Sequence, residues 1–262
     1  MTDRKTIPVS HPVLGGNEKR YVLECLETGW ISSIGRFIRL FEDAFGRYCE
    51  ARHAIACNNG TTALHLALAG LGTGPGDEII VPTLTYIATA NAVRYCGAQP
   101  VFADSEPGTM TVDPARIEER ITARTKGIVV VHLYGHPADM DPILEVARRR
   151  GLFVVEDAAE AHGALYRGRK AGSLGDVATF SFYGNKIITT GEGGMVTTND
   201  AALSERIRIL RGQGMDPGRR YWFPVVGYNY RMTNIAAAIG LAQLEQIYRF
   251  IEKRLEIACR YR

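Results

Sequence analysis

VVEDAAEAHGA (154–164) and TFSFYGNKIITTGEGGMV (179–196) carry the reading of this chain. Each contains an apolar run with the length of a buried strand, followed by one side chain with chemistry in it. Asp157 follows the run Leu152 to Val155, and Lys186 follows the alternating run Val177 to Phe182. Open α/β sheets bind ligands outside the carboxyl ends of their strands. If the two strands lie parallel in one sheet, acid and amine emerge at the same edge, as a site for a carbonyl cofactor requires.

Outward from these segments, short apolar runs alternate with helical ones. Strands are expected over 53–57, 78–81, 100–103, 127–132, 152–156, 177–182 and 194–198, after two amphipathic helices near 17–27 and 36–50. Asp113 before Pro114, and Asp141 before Pro142, read as N-caps ahead of a first-turn proline. The pattern predicts an α/β fold, with a large domain over 1–232 built on a mostly parallel seven-stranded sheet covered on both faces. From Thr233 one long helix is expected to run to the end, with Leu244, Ile247, Ile251 and Leu255 at helical spacing. Stopping inside that element, residues 233–262 read as the start of a smaller C-terminal domain, largely absent.

The chain has 262 residues and is 46% hydrophobic, enough for a sizeable core. Its formal charge of +3 is spread rather than blocked, which argues against nucleic-acid or membrane partners. Five cysteines without a C-x-x-C pair, mostly set among apolar residues as buried thiols are, suggest a reducing cytoplasm. The opening MTDRKTIPVSHP has no apolar core for a signal peptide, and no run reaches the roughly 18 apolar residues of a membrane span.

Lys186 is one of only six lysines against twenty-five arginines. A free lysine amine is a poor nucleophile at neutral pH, but desolvation or a neighbouring charge activates it for a Schiff base. Pyridoxal phosphate also needs an acid for its ring nitrogen, an aromatic face and donors for its phosphate. Asp157 can be the acid. ACNNGTTALHLALAGL (56–71) reads as a strand end, a tight turn and a helix opening at Thr61 and Thr62, an anion site by its free N–H groups and dipole. Ser181 offers a further hydroxyl, and Tyr86 in PTLTYIATANAV (82–93) a ring.

Each residue alone has a plainer reading. Lys186 can snorkel at the surface, Asp157 can cap a turn, Thr61 and Thr62 can open an ordinary helix, and Ser181 and Tyr86 can simply pack. Competing motifs fail on context: GLGTGPG (70–76) follows a helix instead of a strand, and His132 and His136 lack a metal-ligand pattern around them.

Together with TGWISSIGRFIRLFE (28–42), HLYGHPADMD (132–141) and VGYNYRMTNIAAAIGLAQLE (226–245), these segments resemble, in order, the sugar-nucleotide aminotransferases of the DegT/DnrJ/EryC1/StrS family. The resemblance implies the aspartate-aminotransferase-like fold, known as PLP fold type I. It implies Lys186 as the Schiff-base lysine and proton carrier, Asp157 as partner of the pyridinium nitrogen and Tyr86 as the stacking ring. Gly60, Thr61, Thr62 and Ser181 would hold the phosphate. Asn229 would reach a partner subunit's phosphate across a homodimer. Glu160 stands where many members carry glutamine near the ring hydroxyl. Glutamate would donate the amine to a nucleotide-linked keto sugar. TGWISSIGRF and RRYWFPVVGYNYRMTN narrow the resemblance to members that aminate GDP-4-keto-6-deoxymannose at C4, with Arg219 and Arg220 facing the diphosphate. Two alternatives stay open: a truncated relative that binds cofactor without turnover, and an enzyme for another keto sugar.

Overall fold

The computed structural model describes residue 8 and residues 10–261, so most of the opening segment read for a signal peptide lies outside it. Two helices come first, α1 (Glu18–Thr28) and α2 (Arg36–Cys49). Strands and helices then alternate: β1 (His53–Cys57), α3 (Gly60–Gly70), β2 (Glu78–Pro82), α4 (Ala88–Tyr95), β3 (Gln99–Ala103), α5 (Pro114–Glu119), β4 (Thr125–Val131), α6 (Met140–Arg150) and β5 (Phe153–Asp157). A two-residue hairpin follows, β6 (Leu165–Tyr166) and β7 (Arg169–Lys170), then β8 (Val177–Ser181), β9 (Gly194–Thr198), α7 (Ala201–Arg211), α8 (Asn234–Leu244) and α9 (Ile247–Tyr261).

The seven expected strands form one sheet in the order β1-β9-β8-β5-β4-β2-β3, with β9 alone antiparallel to its neighbours. Alternation along each strand sorts the core. Ile55, Val155, Val177 and Val196 point to one face and pack with residues of α3, α4 and α7. Ala54, Ala178, Phe180 and Met195 point to the other face, against Phe37, Phe41 and Phe45 of α2 and Ala237 and Ala238 of α8. Farther along that face, Ile128, Val130 and Val154 meet α5 and α6. Strands buried on both sides read as continuous apolar runs, which is why they stood out in the sequence.

Asp113 caps α5 as expected, accepting a hydrogen bond from Ala115 N, with Pro114 the first helical residue. Asp141 does not cap α6. That helix begins at Met140, two residues before the expected Pro142, with Asp139 in the cap position, and the β6–β7 hairpin engages both nearby acids: Tyr166 Oη donates to Asp139 at 2.5 Å, and Arg167 pairs with Asp141. The single long helix expected from Thr233 is two helices, because polar side chains at the junction bond to the N-terminal segment. Gln243 donates to Val13 O and Glu18, Glu245 accepts from Asn17 and Tyr21, and Gln246 donates to Glu18. The backbone tightens there, with Gln246 N bonded to Gln243 O.

Candidate active site

Asp157 and Ser181 are the last residues of the adjacent parallel strands β5 and β8, so both open at the carboxyl edge. Asp157 is only 6% exposed and forms no ion pair among the described residues. Thr89 Oγ1 donates to its Oδ2 at 2.8 Å, and Ala159 N to its Oδ1 at a longer 3.3 Å. Burial pushes its carboxyl above the ordinary aspartate range, against these hydrogen bonds and the more distant positive charge of Lys186, which favour ionisation. A carboxylate in that state gains most from a buried cation placed against it.

Lys186 lies in the tight loop after β8, where its N–H donates to Tyr183 O at 3.0 Å. Its ammonium donates to Glu160 Oε1 at 3.2 Å, and the second Glu160 oxygen accepts Tyr134 N at 2.9 Å. Tyr134 reaches that bond with a left-handed backbone, φ 51°.

The start of α3 faces Ser181. Asn59 caps the helix: its side chain accepts Thr62 N at 2.8 Å, and the Thr62 hydroxyl donates to Asn58 Oδ1 at 2.6 Å. Thr62 thus spends both its donors locally. The N–H groups of Gly60 and Thr61 have no partner within a helix, and the dipole's positive end lies with them. Gly60 packs so closely on β8 that a Cβ there would stand 2.7 Å from Ser181 Cβ, so only glycine lets this helix end approach the strand. The helix after Tyr86 opens at Ala88, leaving Tyr86 in the loop with its ring exposed and its carbonyl accepting Thr89 N.

Beneath the edge sits a buried polar hub that the sequence reading passed over. Glu156, fully buried, accepts from His132 Nε2 at 2.9 Å, Gly172 N at 2.9 Å, and Leu174 and Gly175 N at 2.8 Å each. Ala138 N donates to His132 Nδ1, which leaves Nε2 as the ring donor toward Glu156. Burial alone would raise the Glu156 carboxyl, but its hydrogen bonds hold it below the ordinary glutamate range. His132, weighed as a weak metal candidate, is a scaffold for this acid.

Thr89 was also missed; it lies in the first turn of α4, with Thr85 in the bend that precedes the helix. Asn229, Arg219 and Arg220 make no hydrogen bond or ion pair with the Asp157–Lys186 group. Asn229 is exposed and accepts from Arg231 at 3.0 Å, while the neighbouring Tyr230 O accepts Asn58 N beside α3. Arg219 and Arg220 stack on Trp222 and Tyr221 in an exposed loop.

The pattern of the DegT/DnrJ/EryC1/StrS aminotransferase family matches residues 12–262. The chain belongs to this family. It is 69% identical over 247 residues to GDP-perosamine synthase of Caulobacter vibrioides, covering 94% of this chain and 67% of that protein. It is 56% identical over 258 residues to GDP-perosamine synthase of Escherichia coli O157:H7, covering 98% and 71%. The aminotransferase structure from Psychrobacter cryohalolentis superposes with a TM-score of 0.85 at 40% identity, over 90% of this chain and 63% of that one. The chain thus spans about two thirds of the length of these relatives.

Aminotransferases of this family depend on pyridoxal 5'-phosphate. The site fits that group on its own geometry: a buried carboxylate without a cation, a lysine at the same sheet edge, and a helix start closed onto Ser181 through a glycine. Among the described residues no group of three metal-ligating side chains is present, and no helix is long and apolar enough to cross a membrane.

Proposed function

We propose that this chain is the cofactor-bearing part of an enzyme that transfers an amino group from glutamate to C4 of GDP-4-keto-6-deoxymannose in the cytoplasm. The observation that carries the reading is the meeting of Asp157 and Lys186 at the edge of one sheet, in a family member similar along nearly its whole length to two GDP-perosamine synthases. Pyridoxal phosphate, when bound, supplies the carbonyl that takes up the amine and the ring that accepts the electrons released at the substrate's Cα–H.

Asp157 holds a negative charge against the protonated ring nitrogen, and burial prevents water from screening that pair. Lys186 would hold the cofactor through its amine and, when that amine is free, would carry the proton between the substrate's Cα and the cofactor's carbonyl carbon as general base and acid. Glu160 orients the lysine amine by the hydrogen bond already present at 3.2 Å. Gly60 and Thr61 N–H groups and the Ser181 hydroxyl bind the phosphate, as does Thr62 after release from its cap. Tyr86 covers the ring, and Asn229 reaches the phosphate of a second copy, making the site shared within a homodimer. Arg219 and Arg220 supply charge for the nucleotide diphosphate. Residues 1–232 form the cofactor domain, and 233–262 lead into a smaller domain.

The test is a glutamate-dependent conversion assay with GDP- and dTDP-linked 4-keto-6-deoxysugars, read by mass spectrometry. Amination of the GDP sugar alone supports the reading. Amination only of the dTDP sugar, or none despite a bound cofactor, overturns it.

A further inference from the structure

Asp157 poses a problem that the strand end does not solve. A carboxylate at 6% exposure with no cation against it pays a desolvation cost in the unloaded protein, and a neutral acid there could not oppose a ring cation. Whatever holds it ionised and correctly rotated must lie in its immediate shell. The side-chain donor present is Thr89, fully buried in the first turn of α4, at 2.8 Å from Oδ2.

The hydroxyl of Thr89 has one proton. An ionised carboxylate can only accept, so that proton points to Asp157 and the Thr89 oxygen must accept from elsewhere. Thr85 Oγ1 stands 2.9 Å away, one turn earlier and partly exposed. Two hydroxyls in series therefore donate toward Asp157. In the reverse polarity, with Asp157 protonated, the chain would have to end on Tyr86 O, 3.3 Å from Thr85 Oγ1, a poorer terminus. The row thus has a favoured direction. It also leaves Oδ1 engaged only by the long Ala159 bond, open for a strong donor.

We infer that Thr89, with Thr85 behind it, is a positioning residue that keeps Asp157 ionised and turns its Oδ1 toward the cofactor's ring nitrogen. The inference rests on the cofactor reading above and deepens it: the strength of the electron sink is set partly by two threonine hydroxyls on a different element from the acid. Burial raising the Asp157 carboxyl, opposed chiefly by the Thr89 hydrogen bond, is consistent with this.

The experiment uses the whole chain loaded with pyridoxal phosphate labelled with 15N in the ring, because the 15N chemical shift reads protonation of that nitrogen without turnover. In Thr89→Val the side chain keeps its shape and loses the hydroxyl. The shift should then move toward the unprotonated form at neutral pH, and cofactor Kd should rise about tenfold, the equivalent of one hydrogen bond to a charge. Thr89→Ser should restore both to within about twofold of wild type. A folded Thr89→Val protein with unchanged shift and affinity overturns the inference. Should that variant fail to fold, Thr85→Val carries the test: a smaller shift in the same direction supports the relay, and an unchanged shift overturns it. A wild-type chain that takes up no pyridoxal phosphate would instead sink the cofactor reading, so the two failures are distinct.

Discussion

Lys186 Nζ and Glu160 Oε1 lie 3.2 Å apart, and the other Glu160 oxygen accepts the Tyr134 N–H, so one carboxylate ties Lys186 to a left-handed turn after β4. The pair is partly exposed, which limits its Coulombic contribution to about 1 kcal/mol or less. Glu160→Gln keeps an acceptor for Tyr134 and should stay within about 1 kcal/mol of wild type in urea unfolding. Glu160→Ala leaves that N–H unpaired and should cost about 1 kcal/mol more. Equal stability of the two variants would show that the turn does not depend on this bond.

Gly60 allows α3 to close on Ser181. Gly60→Ala places a methyl 2.7 Å from Ser181 Cβ, and neither the helix end nor the strand end can yield without moving the anion site. The expected cost is about 1–3 kcal/mol of stability. Phosphate-dependent affinity for the cofactor should fall with it, as measured by titration with pyridoxal phosphate against pyridoxal. Loss of stability with unchanged discrimination between the two would remove the helix start from the phosphate site.

His162 is buried, packed on Phe45, Phe180 and Phe182, and neither ring nitrogen has a hydrogen-bond partner among the described residues. Burial, helped by the charges of Lys186 and Arg254, drops its imidazolium from the ordinary 6.5 to about 3. The unfolded chain therefore binds a proton that the folded one refuses. This group's contribution to stability is fully present above pH 6.5 and is lost as pH falls toward 3. His162→Phe, which suits the aromatic surroundings, should flatten the stability curve between those limits by about 1.4 kcal/mol per pH unit at its steepest. Urea midpoints of both proteins across this range check it; parallel curves would count against it.

Glu156 sits on the opposite face of β5 from Asp157 and gathers four donors. Glu156→Gln replaces an acceptor oxygen with an NH₂ group among N–H groups, and should cost about 3 kcal/mol or more at pH 7. The wild-type acid is held below its ordinary value near 4.5, so its contribution is present above that pH and lost below it. The gap between variant and wild type should therefore shrink on acidification. A gap independent of pH would mean that the charge is not what the hub supports.

If Asn229 serves the neighbouring subunit, inactive Lys186→Ala and Asn229→Ala chains should complement one another. Mixed and refolded in equal amounts, they form hybrid dimers with one intact site in two, giving about a quarter of wild-type activity at random pairing. No recovery above either variant alone would place Asn229 in the site of its own chain.

The seven strands were legible because a sheet covered on both faces forces continuous apolar runs, and Asp157 and Lys186 stood out as polar groups at the ends of two of them. Thr89 was not legible. Nothing local distinguishes it from Thr85 or from any hydroxyl in a first turn until α4 packs beside β5. The break between α8 and α9 was hidden for a related reason: Leu244 and Ile247 keep helical spacing across it, and the groups that bond to the junction, Glu18 and Asn17, lie more than two hundred residues away in sequence.

By itself the sequence determined the α/β class, the family and the residues able to carry the chemistry, because period, cap and strand-end signals are local. Only the tertiary structure decided what surrounds them. A hydrogen bond such as Thr89 to Asp157 depends on angles and distances between elements far apart in the chain, and those follow from packing. The paired strand ends that first drew attention thus acquire their electrostatics from helices that neither strand encodes.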